Sequence, residues 1–279
     1  MRLARVTKDG KIGLAAKTGD IVTIAYGDDL ADLDAHIAAG TLVEAGEKAT
    51  AGEPVDEASL LFLPPVVRPA KIVCLGLNYR DHAEESGLGI PEHPVLFARF
   101  ASSLTGHKAP IILPKVSEQL DWEAELAVVL STGGKDIAEA DALDHVAGYS
   151  VFNDASIRDY QLRTPQWTAG KNFDDTGAFG PYLVTPDELP AGAAGLKIEC
   201  RLNGEVMQSS HTGNLIFSVA RTIHLLSSFM TLQSGDVLVM GTPGGVGVAR
   251  SPQVWMKAGD VCEVEIESVG LLVNPIVAQ

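Results

Sequence analysis

The sequence has few cysteines, no long apolar run and a deficit of basic residues. Its three cysteines lie far apart without a CxxC pair, which argues against a disulfide framework or a cysteine metal site. Apolar runs such as residues 126–130 are far below the roughly 20 residues of a membrane-spanning helix. The first residues break at Thr7, Lys8 and Asp9 and lack the apolar core of a signal peptide. We therefore expect a cytoplasmic protein with reduced thiols and no membrane partner.

The charge balance is strongly acidic. The 21 Lys and Arg residues against 36 Asp and Glu residues give a formal net charge of −15. Phosphate backbones are bound through clustered basic side chains, so we expect no nucleic-acid partner. A small anionic substrate is still compatible with this charge, because it responds to the local field.

The 279 residues, of which 46% are hydrophobic and 20% charged, are typical of a globular protein. The pattern of residues 1–68 predicts a small N-terminal domain. It has a hairpin at Asp9-Gly10, a third strand over 21–26 and a helix over 29–39. Three prolines in residues 63–69 predict a linker. Residues 69–279 predict a second domain of short strands with one long helix over 214–230. The fold class is therefore mostly β with few helices (α+β), not a doubly wound sheet.

Alternating carboxylates begin one apolar strand. Odd positions of a strand share a face, so Asp121, Glu123 and Glu125 are expected side by side. Asp154 ends another apolar strand and offers a further oxygen ligand. Three carboxylates suit Mg²⁺ or Mn²⁺, and Ca²⁺ can substitute. The alternatives are an exposed edge-strand face for the first three and a helix N-cap for Asp154.

Three other segments carry polar groups after strand or glycine signals. His82 and Glu85 fall on one face of a helical turn, as a base dyad or simply as a solvated helix. Lys171 follows Gly170 between aromatic residues and can point into a cleft, although a lone lysine is usually solvated. The glycine-rich loop 241–247 has neither P-loop nor GxGxxG order, and it lets backbone N–H groups and the Thr242 hydroxyl approach a carboxylate ligand.

These segments, in this order, resemble the fumarylacetoacetate hydrolase family from about residue 71 to the C-terminus. The resemblance is carried by the following motifs: Gly76-Leu77-Asn78-Tyr79 with His82, Val95-Leu96-Phe97, Glu123-Ala124-Glu125, Gly148-Tyr149 with Asp154, Gly170-Lys171, Asn203-Gly204-Glu205, and Gly241-Thr242-Pro243 with Gly245-Val246-Gly247. It implies a catalytic domain folded as a mixed β-sandwich roll, a homodimer and a divalent metal. It also implies that residues 1–68 are the small variable domain of bacterial members.

The resemblance also assigns roles to particular residues. It implies that the metal ligands are Glu123, Glu125 and Asp154, and that the catalytic residues are His82, Glu85 and Lys171. The substrate-binding residues that it implies are Arg80, Arg99, Arg158, Gln161 and Thr242. Arg99 departs from the family pattern, in which a lysine commonly follows the Leu-Phe pair. Because a guanidinium is not equivalent to an ammonium, this departure bears on substrate identity.

The function implied is metal-dependent C–C bond hydrolysis of a 1,3-diketo acid of acylpyruvate or fumarylpyruvate type, as in aromatic catabolism. A Lewis-acid metal and Lys171 stabilise the enolate that cleavage leaves, and the products are a carboxylic acid and a 2-oxo acid. Oxaloacetate decarboxylation and isomerisation of 2-hydroxy-dienedioates use the same site and are the alternatives. A non-catalytic metal-binding protein is the remote alternative.

Overall fold

The computed structural model describes residues 1–85, 87 and 89–279. The helices are α1 (Leu33–Ala39), α2 (Leu42–Thr50), α3 (Arg80–Glu85), α4 (Arg158–Gln161), α5 (Thr168–Lys171) and α6 (Val219–Phe229). The first strands are β1 (Arg2–Lys8), β2 (Lys11–Thr18), β3 (Ile21–Tyr26), β4 (Glu53–Pro54), β5 (Leu61–Phe62), β6 (Ile72–Gly76), β7 (Val95–Arg99), β8 (Leu104–Thr105), β9 (Ile111–Leu113) and β10 (Leu120–Asp121). The remaining strands are β11 (Ala124–Leu130), β12 (Val146–Asp154), β13 (Ser156–Ile157), β14 (Gly177–Val184), β15 (Lys197–Leu202), β16 (Glu205–His211), β17 (Val237–Val239), β18 (Val261–Ile266) and β19 (Gly270–Ala278).

The predicted mostly-β fold with few helices is confirmed. Within the described residues, a twelve-stranded mixed sheet has the order β4-β3-β2-β1-β14-β12-β11-β17-β6-β7, with β5 paired to β1 and β8 to β14. A five-stranded sheet has the order β16-β15-β18-β19-β9. At the centre of the large sheet, β11 and β12 are buried along their whole length. Both are nearly continuous apolar runs, as expected for strands covered on two faces.

The N-terminal strands continue the large sheet. Strand β1 pairs antiparallel with β14 through Arg2↔Val184 and Leu3↔Leu183. Helices α1 and α2 cover these strands and share a separate apolar cluster with them. Helix α2 is not predicted from the sequence, because its centre is Gly46 and glycine is a poor helix former. An added Cβ at Gly46 would lie 2.5 Å from the Met1 sulfur, so the glycine leaves room for the Met1 side chain. The boundary between residues 68 and 69 stays a prediction.

Two helices differ from their predicted bounds. Helix α6 begins at Val219 rather than at residue 214, because the Ser218 side chain caps it by accepting from the Arg221 N–H. The buried Asn78 side chain accepts from the Phe217 N–H at 2.8 Å and holds the preceding segment out of the helix. Helix α1 begins at Leu33 after its Asp32 cap, not at residue 29. Every helix among the described residues is too short or too polar to span a bilayer.

His107 makes the fold sensitive to acid. The ring is buried, its Nδ1 accepts from the Val273 N–H at 3.1 Å, and its edge meets Phe62. Burial, and then the neighbouring Lys108, lower the pKa of His107 to about 4. In the unfolded chain this imidazole takes up its proton near pH 6.5. The contribution of His107 to the free energy of unfolding is therefore fully present above pH 6.5. It is lost as the pH falls toward 4, by up to about 3 kcal/mol.

We expect His107→Gln to remove much of this acid dependence, because no titrating ring remains. The free energy of unfolding by urea, measured at pH 7.5 and pH 5, provides the check. His211→Gln, at an exposed position, is the matched control. The same loss of stability at pH 5 in the parent protein and in His107→Gln would contradict the prediction.

Candidate active site

Strand pairing brings three carboxylates together. Glu123 comes directly before β11 and Glu125 is the second residue of that strand, and the Asp154 N–H at the end of β12 donates to the Glu123 carbonyl at 3.0 Å. One oxygen of each of the side chains Glu123, Glu125 and Asp154 lies within 4.8 Å of the others. All three side chains are buried. The structure thus places the three predicted metal ligands in one cluster.

Asp121 is not part of this carboxylate cluster, contrary to the expectation of one alternating row. The chain leaves β10 after Asp121 and enters β11 only at Ala124. The Asp121 carboxylate accepts from the N–H groups of Gly247, at 2.7 Å, and Val248, and from Arg158 Nε at 2.8 Å. Asp121 therefore anchors the glycine-rich loop and Arg158, which a strand pattern alone does not reveal.

Buried basic side chains surround the carboxylates. Lys171 Nζ lies 2.5 Å from Glu123 Oε2 and 2.7 Å from Asp154 Oδ2. Arg158 contacts the other oxygen of Glu123 at 2.7 Å, and Arg99 Nε contacts the other oxygen of Asp154. Although burial opposes it, Lys171 and then Arg99 lower the pKa of Asp154. Lys171 keeps its proton, because these carboxylates raise its pKa against the effect of burial.

Glu125 is the carboxylate without a basic partner in the described part of the chain. Its Oε2 accepts from the Gly241 N–H at 2.5 Å. Burial, followed by the charges of Asp154 and Glu123, raises the pKa of Glu125 well above its usual value. A buried carboxylate that faces two others is destabilised unless a cation or a proton joins it. Three hard oxygen donors, one of them on a carboxylate without a basic partner, fit a divalent ion such as Mg²⁺ or Mn²⁺.

Helix α3 carries the predicted dyad above the carboxylates. His82 Nδ1 lies 3.4 Å from Glu85 Oε2, a long contact, and Glu85 accepts from the Gly245 N–H at 3.1 Å. Asp81, beside them, accepts from Ser210 Oγ at 2.5 Å. The helix is therefore fastened both to the glycine-rich loop and to β16. The chain beyond Glu85 is described at residue 87 and again from residue 89.

A cavity of about 180 Å³ opens between helix α3 and the carboxylates. The predicted site residues that line it are His82, Glu123, Glu125, Arg158, Gln161, Lys171 and Thr242. Phe97 and Trp167 form an apolar wall with ring centroids 5.5 Å apart. Gly76 is required beneath this wall, because an added Cβ would lie 2.3 Å from the Trp167 ring.

Two predicted substrate-binding residues lie elsewhere. Arg99 is buried behind Asp154 and donates to the Ala155 carbonyl at 2.6 Å and to two hydroxyls. Its position does not fit a contact with substrate; it fits a role in holding Asp154. Arg80 is the exposed first residue of α3 and is outside the cavity lining. The buried location of Arg99 could not be read from sequence, because its partners are distant along the chain.

Gln208 is a site residue that the sequence analysis missed. It lies on β16, is buried, and donates from Nε2 to Thr242 Oγ1 and to the Pro243 carbonyl, both at 2.8 Å. Its Oε1 accepts from the Ala124 N–H at 2.9 Å. Gln208 thereby fixes Thr242 against the start of β11. The polar run 205–211 looks like an exposed hairpin strand, so nothing local marks this residue.

The chain is similar in sequence to several known proteins. Oxaloacetate tautomerase FAHD2A, mitochondrial, from Homo sapiens is 47% identical over 218 residues, which cover 77% of this chain and 69% of the relative. Oxaloacetate tautomerase Fahd2a, mitochondrial, from Rattus norvegicus is 45% identical over 224 residues, covering 80% and 71%. An uncharacterized protein from Archaeoglobus fulgidus is 45% identical over 226 residues, covering 81% and 86%. The human and rat relatives are named as oxaloacetate tautomerases.

Solved structures share the whole architecture. The fumarylacetoacetate hydrolase of Exiguobacterium antarcticum has a TM-score of 0.89 at 32% identity and covers 100% of both chains. Maleylpyruvate hydrolase from Sphingobium sp. SYK-6, in complex with manganese and pyruvate, has a TM-score of 0.81 at 26% identity and covers 100% of this chain and 99% of its own. The family model for the fumarylacetoacetate (FAA) hydrolase C-terminal region matches residues 71–277. The chain therefore belongs to the fumarylacetoacetate hydrolase family.

Proposed function

We propose that this protein is a divalent-metal-dependent enzyme that interconverts the enol and keto forms of a small 2-oxo diacid, with oxaloacetate as the substrate. The observation that carries the proposal is the shared cavity. It brings Glu123 and Glu125, two carboxylates of the three-carboxylate cluster, together with the basic groups Lys171 and Arg158 and with His82. The relatives named as oxaloacetate tautomerases support the choice of reaction.

The size of the cavity favours a small substrate. Its volume of about 180 Å³ is below the roughly 300–1,000 Å³ of pockets for drug-sized ligands. Arg158 lines the cavity, and one nitrogen of its guanidinium group, Nη2, is buried without a hydrogen-bond partner in the described chain. An unpaired guanidinium nitrogen at the wall of a cavity is suited to a carboxylate. We assign the distal carboxylate of the diacid to Arg158, with Gln161 beside it at 2.8 Å.

The other residues act on the reacting end of the diacid. A divalent cation held by Glu123, Glu125 and Asp154 would supply Lewis-acid polarisation of the 2-oxo group. Lys171 stabilises negative charge that develops on the substrate oxygen, because it stays protonated in the buried site. Thr242, oriented by Gln208, donates its hydroxyl to the substrate carboxylate. His82 moves the proton between C3 and the enol oxygen, using the nitrogen that does not face Glu85.

The test is the decay of freshly dissolved enol-oxaloacetate, followed by its ultraviolet absorbance. We expect the purified protein with Mg²⁺ or Mn²⁺ to speed the decay. Chelation should remove this acceleration, and added metal should restore it. Release of pyruvate, measured with lactate dehydrogenase, separates decarboxylation from tautomerisation. Unchanged enol decay by metal-loaded protein would contradict the proposal.

Hydrolysis of an acylpyruvate is the second candidate function. The neighbouring His82 and Glu85 side chains favour it, because such a pair can activate water. The likeness to maleylpyruvate hydrolase adds support. Offering acylpyruvates beside oxaloacetate decides between the two functions, since only hydrolysis releases pyruvate from an acylpyruvate.

We also propose that the protein is a homodimer. Light scattering on the protein as it elutes from a size-exclusion column tests this proposal.

We expect His82→Gln to lower kcat for tautomerisation by about 100-fold, the lower end of the range for a lost general acid–base group. The glutamine keeps a polar side chain but cannot carry the proton, so KM should change little. His93→Gln, at an exposed position, is the control. An increase in KM with unchanged kcat would instead assign His82 to substrate binding.

A further inference from the structure

A second cleft, of about 340 Å³, lies where the N-terminal strands meet the five-stranded sheet. Its lining includes the charged and polar residues Arg2, Lys17, Glu57, His107, Lys108 and Tyr182. We call it the junction cleft. The residues that line it differ from those of the active-site cavity. Its function is therefore a separate question from the proposed catalysis.

His107 presents an unused hydrogen-bond donor in the junction cleft. Its side chain is 8% exposed, and its Nδ1 is occupied as an acceptor of the Val273 N–H. The neutral ring therefore carries its proton on Nε2. In the described chain no protein atom accepts a hydrogen bond from this nitrogen, and the ring lines the cleft. A donor that faces a cleft without a protein partner is available to a ligand that accepts.

Lys108 adds a charge in an unusual backbone conformation. Its φ of +64° is rare for a residue other than Gly, Asn or Asp, and such conformations concentrate at ligand-binding sites. The Lys108 N–H donates to the Val273 carbonyl at 2.8 Å, which fixes the turn. Within the described residues, Lys108 makes no ion pair, and its ammonium lies 5.8 Å from the Phe62 ring centroid.

The charges of the junction cleft leave a positive surplus. Glu57 is its acidic residue, and both of its oxygens are taken, by Lys17 at 2.7 Å and by the Tyr182 hydroxyl at 2.8 Å. Arg2 forms an ion pair at 3.5 Å with Glu188, a residue that does not line the junction cleft. The basic side chains therefore exceed the acidic ones in a protein whose net charge is −15. The lowered pKa of His107 agrees, because Lys108 contributes to it after burial.

We propose that the junction cleft binds a small dianion, either a phosphate or a dicarboxylate. One oxygen of the ligand accepts from His107 Nε2–H and others meet the Lys108 and Lys17 ammonium groups. Such charge-assisted hydrogen bonds are the stronger class in proteins. The surplus of basic charge matches a dianion better than a neutral molecule. Because the lining comes from β1, β2, β14 and β19, the ligand joins the N-terminal strands to the rest of the chain.

The experiment titrates the Mg²⁺-loaded full chain with inorganic phosphate and, separately, with succinate at constant ionic strength. Nuclear magnetic resonance of the His107 ring reports on the junction cleft alone, apart from any succinate in the active site. We expect one of the two anions to shift the His107 signals in a saturable way. The anion that does so identifies the ligand as phosphate or carboxylate.

Lys108→Asn removes the charge and retains tolerance of positive φ, so its fold should persist. We expect this substitution to lower the affinity for the anion by about tenfold, because one charge-assisted hydrogen bond is lost. Lys257→Asn, at an exposed position, is the matched control and should bind like the parent. Failure of both anions to shift His107, or equal affinities in Lys108→Asn and the parent, would overturn the proposal.

Discussion

Glu125→Gln should remove turnover while leaving the metal-free protein at least as stable as the parent. Among the buried carboxylates of the site, Glu125 is the one whose negative charge lacks a basic partner in the described chain, and burial raises its pKa well above the usual value. A carboxyl with a raised folded-state pKa lowers stability increasingly as pH rises above its unfolded pKa. The amide removes this cost and keeps an oxygen for the Gly241 N–H. It also removes one of the charges that a divalent cation needs.

Activity and stability are therefore expected to change in different directions in this variant. Loss of the cation should lower kcat/KM by about a thousandfold, corresponding to several kcal/mol of electrostatic stabilisation. Mg²⁺ should raise the Tm of the parent and not that of Glu125→Gln, since a ligand stabilises only the state that it binds. Glu205→Gln, on the exposed hairpin, is the control. A fully active Glu125→Gln, or an equal rise of its Tm with Mg²⁺, would contradict the site assignment.

Arg99→Ala is expected to destabilise the fold severely. Arg99 is buried and contacts Asp154, the Ala155 carbonyl and the hydroxyls of Ser103 and Thr176. Removing one partner of a buried ion pair leaves the other charge uncompensated, at a cost of about 3–5 kcal/mol. For a chain of this size such a loss lowers the Tm by about 10 °C.

Calorimetry of Arg99→Ala beside Arg221→Ala tests this expectation. Arg221 pairs with Glu139 at the surface, where an ion pair contributes at most about 1 kcal/mol. The metal-binding affinity of Arg99→Ala should also fall, because Asp154 loses a side chain that holds it in place. A variant with unchanged Tm and a changed KM alone would return Arg99 to the substrate-binding role that its family position implies.

The fold class and the carboxylate cluster were predictable because both depend on local patterns. Apolar runs fixed β11 and β12, and the positions of Glu123, Glu125 and Asp154 at strand ends brought them to one edge. The interruption after Asp121 was not predictable, because it depends on contacts with Arg158 and the glycine-rich loop. Strand alternation assumes an unbroken pleat and carries no information on such tertiary partners.

The surroundings of the cluster were predicted less well for the same reason. Gln208 comes from the other sheet, and Arg99 approaches Asp154 from behind, so neither relation is local in the chain. The N-terminal limit of α6 was misjudged because apolar spacing continues through Ile216, whereas the backbone of Phe217 is held by Asn78. Side-chain bonds to backbone, rather than hydrophobic periodicity, decided these details.

The position of Lys171 between Glu123 and Asp154 has a consequence for how the enzyme matures. With Arg99 and Arg158, it leaves Glu125 as the main uncompensated carboxylate of the cluster. The newly made chain can therefore reach its native structure without waiting for an ion, unlike small domains that stay unfolded until metal arrives. Binding of a cation would then be a late and reversible step of maturation. The active fraction of the protein would follow the supply of divalent cations in its compartment, while its abundance would not.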